Sequence, residues 1–162
     1  MFTGIVTDLG EVRSVSQRAG DLHRLTIFCS YARSEMIQGA SIACSGVCLT
    51  VVDAGEENGR AWFAVDAAAE TLRVTTAGRW RHGSKINLER PLKFGDELGG
   101  HFVAGHVDGI ATVVAREDMT DMARFVLRAP ARLAGFVAAK GSVALDGVSL
   151  TVNAVEADTF SV

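Results

Sequence analysis

Residues 40–51 return 101 positions later as residues 141–152, and the two stretches agree at seven of twelve places. Ser41, Ala43, Gly46, Val47, Leu49, Thr50 and Val51 reappear as Ser142, Ala144, Gly147, Val148, Leu150, Thr151 and Val152. A period near a hundred residues marks a duplicated domain, since solenoid repeats run at about 20 to 50. The opening of the chain repeats too, because residues 105–113 align with residues 4–12 at the same offset, with three identities. A chain of 162 residues is therefore expected to hold two related units, each with its own core, divided as residues 1–95 and 96–162.

Each repeated box reads as a hairpin. Ser45-Gly46 is a two-residue turn signal, and Asp146-Gly147 is a stronger one, because a type I′ turn needs positive φ at both central residues. That turn pairs Cys44 with Val47, Ala43 with Cys48, Ile42 with Leu49 and Ser41 with Thr50. Side chains alternate along a strand, so Ile42, Cys44, Val47, Leu49 and Val51 fall on one face, a core face. Ser41, Ala43, Cys48 and Thr50 fall on the other, a small and weakly polar patch with room for a ligand. In the second box Val143, Leu145, Val148, Leu150 and Val152 point inward, leaving Ser142, Ala144, Ser149 and Thr151 on the patch.

Around the boxes, residues 5–15 and 22–30 read as strands joined by a turn at residues 17–21. Residues 31–39 have the chemistry of a short helix, with Ser34 as cap and Gly39 as stop. Residues 60–66 and 85–90 read as strands, with a loop at residues 55–59 and a helical turn at residues 70–76. Residues 91–100, rich in glycine, read as the connector. Beyond it, residues 105–113 and 122–128 are expected as strands and residues 130–139 as a helix. Short strands without a βαβ rhythm predict an all-β fold of two tandem Greek-key six-stranded barrels with short helices. Phe160 and Val162 match Phe63 and Val65, so a counterpart of residues 66–90 is expected after Val162.

Composition excludes several function classes. A net charge of −3 gives no basic footprint for nucleic acid or an anionic membrane. The first residues lack a basic start and a long apolar run, and no stretch approaches eighteen apolar residues, which suggests a cytoplasmic protein. Cys29, Cys44 and Cys48 make an odd count and read as reduced thiols. Cys44 and Cys48 lie on opposite faces of the hairpin, so no single metal ion reaches both. The glycines of residues 95–105 open no helix after a strand, which argues against a dinucleotide site.

Five stretches together resemble riboflavin synthase of the alpha-chain type, a lumazine-binding double-barrel family. They are Met1-Phe2-Thr3-Gly4-Ile5-Val6, Gly46-Val47-Cys48-Leu49-Thr50-Val51, Glu70-Thr71-Leu72, the connector Asp96-Glu97-Leu98-Gly99-Gly100-His101 with Gly105-His106-Val107, and Asp146-Gly147-Val148-Ser149-Leu150-Thr151-Val152. The resemblance spans the chain. It implies two barrels followed by a C-terminal helix that builds a homotrimer, and a dismutation that needs no cofactor. In that reaction two molecules of 6,7-dimethyl-8-ribityllumazine exchange a four-carbon unit, giving riboflavin and 5-amino-6-(ribitylamino)uracil. It also implies substrate contacts at Gly4, Ile5, Val6, Ser41, Cys48, Leu49, Thr50, Asp66, Ala67, Ala68, Ala69, Glu70 and Thr71 for the first pocket. Gly105, His106, Val107, Lys140, Ser149, Leu150 and Thr151 are implied for the second. Ala67, Ala68 and Ala69 are blander than is usual in the family, which points to backbone contacts. The alternative is a non-catalytic lumazine- or flavin-binding antenna protein of the same fold.

The reaction needs a proton taken from the C7 methyl of one lumazine and a nucleophile at C7 of the other. His106 is the candidate base, because an imidazole titrates near pH 6.5, against a plain role as a hydrogen-bonded rim histidine. Cys48 and Ser149 occupy equivalent positions and are candidates for addition or charge stabilisation; a small buried hydrophobe is the other reading of Cys48. Thr50 and Thr151 are either hydrogen-bond donors to substrate or β-formers. Asp146 either fixes its turn or serves the second pocket. His23, His82 and His101 read as surface or turn histidines.

Overall fold

Both boxes fold as the hairpins their turns demand, in a computed structural model that describes residues 1–162. Strands β3 (Ser41–Cys44) and β4 (Val47–Glu57) pair as Ser41 with Thr50, Ile42 with Leu49, Ala43 with Cys48 and Cys44 with Val47. Strands β9 (Ser142–Leu145) and β10 (Val148–Thr151) repeat that register residue for residue. All four turn residues have positive φ, at 46° and 81° for Ser45 and Gly46 and 52° and 84° for Asp146 and Gly147. The two turns meet back to back, and a Cβ on Gly46 would lie 2.9 Å from the Gly147 nitrogen.

The first unit is a closed barrel. Strands β1 (Asp8–Gln17), β2 (His23–Cys29), β5 (Arg60–Ala67) and β6 (Lys85–Glu89) join the hairpin in the order β1, β2, β5, β4, β3, β6. Its core holds fifteen buried residues, among them all five predicted from the first box, with Phe63, Leu25 and Ile27 at 0% exposure. Each such side chain contributes about 1.5–3 kcal/mol relative to exposure, so the barrel's stability lies in this cluster.

The second unit follows the same plan. Strands β7 (Thr112–Asp118), β8 (Ala123–Arg128) and β12 (Thr159–Ser161) stand where β1, β2 and β5 stand in the first. Strand β11 (Ala154–Glu156) continues β10, so the two together correspond to β4. Even the irregularities repeat, because the register shifts between Val12 and Ser14 in β1 and between Val113 and Ala115 in β7. The strands form a sheet ordered β11, β12, β8, β7 and the separate β9–β10 pair. Leu127, Ala129, Val152 and Phe160 form a smaller core, with Val143 and Leu145 packed on it.

Several local expectations fail for tertiary reasons. Residues 31–39 hold only a single 3-10 turn, Arg33–Glu35, capped at Ala32 and not at Ser34. The chain leaves that turn at once because Met36, 1% exposed, enters the barrel core. The expected loop at residues 55–59 is strand as far as Glu57, and the turn is only Asn58-Gly59. Gly55 stays in the strand because the Trp62 ring lies over it, 2.6 Å from where a Cβ would stand. The helix expected at residues 130–139 is the short α2 (Ala131–Ala134), whereas the turn expected at residues 70–76 is α1 (Ala69–Val74). Both opening segments start their strands late, at Asp8 and Thr112, since the residues before them leave their own unit.

A side chain at Gly46 should therefore cost more than backbone strain. Gly46→Ala and Gly59→Ala both place alanine at positive φ, at about 1 kcal/mol or more, but only Gly46 faces another backbone. In urea unfolding Gly46→Ala is expected to lose about 1 to 3 kcal/mol more than Gly59→Ala.

Candidate functional site

The opening segments of the two units are exchanged. Phe2, 1% exposed, bridges Val103 through a reciprocal pair of hydrogen bonds at 2.9 and 3.0 Å, and the duplication offset relates these two residues. From there each segment crosses to the other unit's box. The Cys48 N–H donates to the Gly105 carbonyl at 2.8 Å, and the equivalent Ser149 N–H donates to the Gly4 carbonyl at 2.9 Å. Only glycine fits at either crossing. A Cβ on Gly105 would lie 2.7 Å from the Cys48 Cβ, and one on Gly4 would lie 2.6 Å from the Ser149 nitrogen.

This exchange corrects the grouping expected from sequence. Gly105 lies against Cys48 of the first unit, and Val107 packs on the first barrel's core. Gly4 lies against Ser149 of the second. Each patch is thus composed of a hairpin from one unit and an opening segment from the other, and neither unit makes one alone.

The polar contact missed from sequence is that of His101. This residue is half-buried, and its Nδ1 shares a short hydrogen bond with the Ser149 hydroxyl. Its own N–H donates to the Thr3 carbonyl at 3.0 Å, so the peptide that precedes Gly4 anchors it. The Gly99-Gly100-His101 run was legible as a motif, but the duplication could not flag it, because an offset of 101 maps His101 to no residue of the first copy. His82 and His23 are as expected away from this pair, and His82 Nδ1 meets the Arg13 carbonyl at 2.7 Å.

His101, Gly105, His106, Phe136, Ser149 and Phe160 are among the residues that line one cavity of about 590 Å³ running between the units and into the second. Its size suits a small organic ligand, for which pockets run about 300 to 1,000 Å³. His106 is exposed on its wall, and Ser149 and His101 meet at its edge. Cys48, Thr50, Lys140, Leu150 and Thr151 do not line it. Thr50 and Thr151 face solvent at the hairpin ends, Leu49 is buried in the barrel core, and Ser41 pairs with Thr50.

Residues 66–71 form a separate cluster at the end of β5. Arg24 grips the Asp66 carboxylate with two bonds at 2.7 Å, Ala67 is buried, and Ala68 and Ala69 are exposed where α1 begins. The Glu70 side chain pairs with Arg73, and the Thr71 carbonyl accepts from the Thr75 hydroxyl at 2.7 Å. The carboxylates there are already engaged, Ala67 pairs with His23 in the sheet, and the Ala68 carbonyl accepts the Leu72 N–H at 3.0 Å. Among the thiols, Cys44 is fully buried and burial pushes its pKa up, while Cys29 is raised to about 11 by the same cause. Cys48 alone of the three lies on the patch, on the opposite face of the hairpin from Cys44. Asp146 holds positive φ in its turn and also lines the cavity, and its carbonyl accepts from Asn87 Nδ2 at 2.9 Å across the unit boundary. No helix is long and apolar enough to cross a membrane.

Comparison with known proteins matches the duplication directly. The family model of the lumazine binding domain matches residues 3–91 and again residues 104–162. A riboflavin synthase of Brucella abortus (strain 2308) is 57% identical over 164 aligned residues, covering all of this chain and 80% of the relative. The chain belongs to the riboflavin synthase family. A second riboflavin synthase, from Bacillus subtilis (strain 168), is 38% identical, covering 100% of this chain and 73% of that one. The crystal structure of LumP complexed with riboflavin has a TM-score of 0.84 at 25% identity, covering 100% of this chain and 85% of that chain. LumP complexed with 6,7-dimethyl-8-(1'-D-ribityl) lumazine shares the fold at a TM-score of 0.81 and 22% identity. The double-barrel-like fold expected from sequence is thus shared with LumP.

The Arg24–Asp66 pair sets a pH dependence. The two hydrogen bonds from Arg24 hold the Asp66 carboxyl below the usual carboxylate range. A folded pKa below the unfolded value of about 3.9 contributes stability above that pH, and the contribution is lost as pH falls through the folded value. The pair is partly exposed, at 34% and 23%, so its worth is held to at most about 1 kcal/mol. Asp66→Asn is expected to lower stability by that amount at neutral pH, and the deficit should close as the pH falls below about 4 in urea titrations.

Proposed function

We propose that the chain is a riboflavin synthase that converts two molecules of 6,7-dimethyl-8-ribityllumazine into riboflavin and 5-amino-6-(ribitylamino)uracil by transfer of a four-carbon unit. In this dismutation the four carbons leave the donor's pyrazine ring and complete the acceptor's new benzenoid ring, and the donor departs as the diamine. The observation that carries the reading is the His101–Ser149 pair on a cavity shared by both units, in a chain 57% identical to a riboflavin synthase. A serine hydroxyl bonded to an imidazole is an activated nucleophile, because the ring takes the proton as the oxygen attacks.

In the proposed site, Ser149 or a water beside it adds at C7 of one lumazine, with His101 accepting its proton. His106, from the cavity wall, removes the proton from the C7 methyl of the other. Cys48 and Thr151 assist addition and hydrogen bonding at the two ends. Gly4, Ile5 and Val6 with Ser149, Leu150, Thr151 and Lys140 bind one substrate. Gly105, His106 and Val107 with Ser41, Cys48, Leu49, Thr50 and residues 66–71 bind the other. The domains divide at residues 95 and 96, and the protein works as a cytoplasmic homotrimer. Holding two substrates face to face supplies more of the acceleration than the proton transfers, which contribute about 10²- to 10⁴-fold.

Mixing the protein with 6,7-dimethyl-8-ribityllumazine should yield one riboflavin for every two substrates consumed, followed by absorbance and chromatography. Tight binding without turnover would instead identify a ligand-binding protein of the LumP kind. Ser149→Ala and His101→Gln should each lower kcat on the order of 10²-fold, and the double variant should be little worse than either. His106→Ala should slow turnover far more than it weakens ligand binding.

A further inference from the structure

Glu89 takes no part in the chemistry above, yet it is a buried carboxylate at 5% exposure. It is the last residue of β6 and pairs with Ala43 of the first hairpin. Its Oε1 accepts from the Thr3 N–H at 2.6 Å and the Thr3 hydroxyl at 2.7 Å, and its Oε2 accepts from the Gly4 N–H at 2.9 Å. Charge-assisted bonds of this kind are roughly twice as strong as neutral ones. Converged on two adjacent residues, they fix the backbone of Thr3 and Gly4.

Those two residues anchor the His101–Ser149 pair. The Thr3 carbonyl receives the His101 N–H at 3.0 Å, and the Gly4 carbonyl receives the Ser149 N–H at 2.9 Å. One carboxylate on the first barrel therefore holds, through the adjacent residues Thr3 and Gly4, both main-chain anchors of a pair that faces the second unit. The device belongs to the first opening segment only. The duplication places Ala104 where Thr3 stands, so the other segment has no hydroxyl to offer an equivalent clamp.

We propose that Glu89 is a positioning residue: by fixing Thr3 and Gly4 it sets the placement of His101 against Ser149, and so governs the rate of reaction rather than affinity for substrate. The proposal rests on the reading of that pair as part of the reacting site. A displacement near 1 Å at such a pair costs about 10²-fold in rate.

Amide hydrogen exchange and steady-state kinetics on the full chain test it, using Glu89→Gln, Thr3→Val and Thr3→Ser. Glutamine sets an amide donor against the donors that the carboxylate accepted, while valine removes one of the three bonds. In Glu89→Gln the His101 and Ser149 amides should exchange at least about tenfold faster, with the Cys48 amide, which bonds the other segment, within about twofold of wild type. In the same variant kcat should fall about 10- to 100-fold with KM within about threefold. Thr3→Val should show the same pattern more weakly, and Thr3→Ser should match wild type. Unchanged exchange at His101 and Ser149 overturns the proposal, as does equal acceleration at Cys48 or a loss confined to KM. If Glu89→Gln does not fold, Thr3→Val against Thr3→Ser decides by the same criteria. If the amides respond as expected but the wild-type chain forms no riboflavin, the enzyme reading fails while the positioning of the pair by Glu89 stands.

Discussion

The reciprocal pairing of Phe2 with Val103 sits on the axis of the duplication, and the rest of the structure depends on it. Two residues related by the offset of 101 bond to each other, which is possible only where a pseudo-twofold axis passes between them. On either side the chain is committed to the opposite unit. Gly105 reaches Cys48, Gly4 reaches Ser149, and the two turns meet at Gly46 and Gly147. Every one of these contacts is main chain against main chain, and a buried backbone group left unpaired there costs about 1–3 kcal/mol. The units are thereby locked in one mutual orientation, and their patches become composite.

The composite patches explain why small residues crowd the boxes. Ser41, Ala43 and Cys48 do not fill a core, as Ile42, Leu49 and Val51 do on the other face of the same hairpin. They leave space for a foreign segment of chain and for a ligand beside it. Backbone can approach the hairpin this closely only where neither partner brings bulk, which is met by glycine on one side and Cys48 or Ser149 on the other.

What was legible in the sequence follows the same division. The hairpin register, the core face and the turn conformations were all fixed by local rules, because alternation of apolar residues and a two-residue turn leave one pairing only. Both copies obey them. The exchange of opening segments was not legible, because residues 4–7 carry the β-branched pattern of a strand whichever unit they join. Nor was the His101 pairing, since a histidine in a glycine-rich connector has no periodicity to place it. The failed helix at residues 31–39 has a plainer cause. Its propensity was real, but burying Met36 outweighed it.

Duplication makes two like patches from one design. The side chains have diverged at many positions, and three of the changes fall where the units meet. Cys48 has become Ser149, Thr3 has become Ala104 and Ser45 has become Asp146. Two of these changes bear on one corner of the molecule, where the serine gains a histidine partner and the Thr3 hydroxyl gains a buried carboxylate. A thiol at Cys48 has no such support, and its amide bond to Gly105 is the only hydrogen bond it makes outside its hairpin. The backbone symmetry therefore relates two like patches, while side-chain asymmetry around Ser149 makes the two chemically unlike.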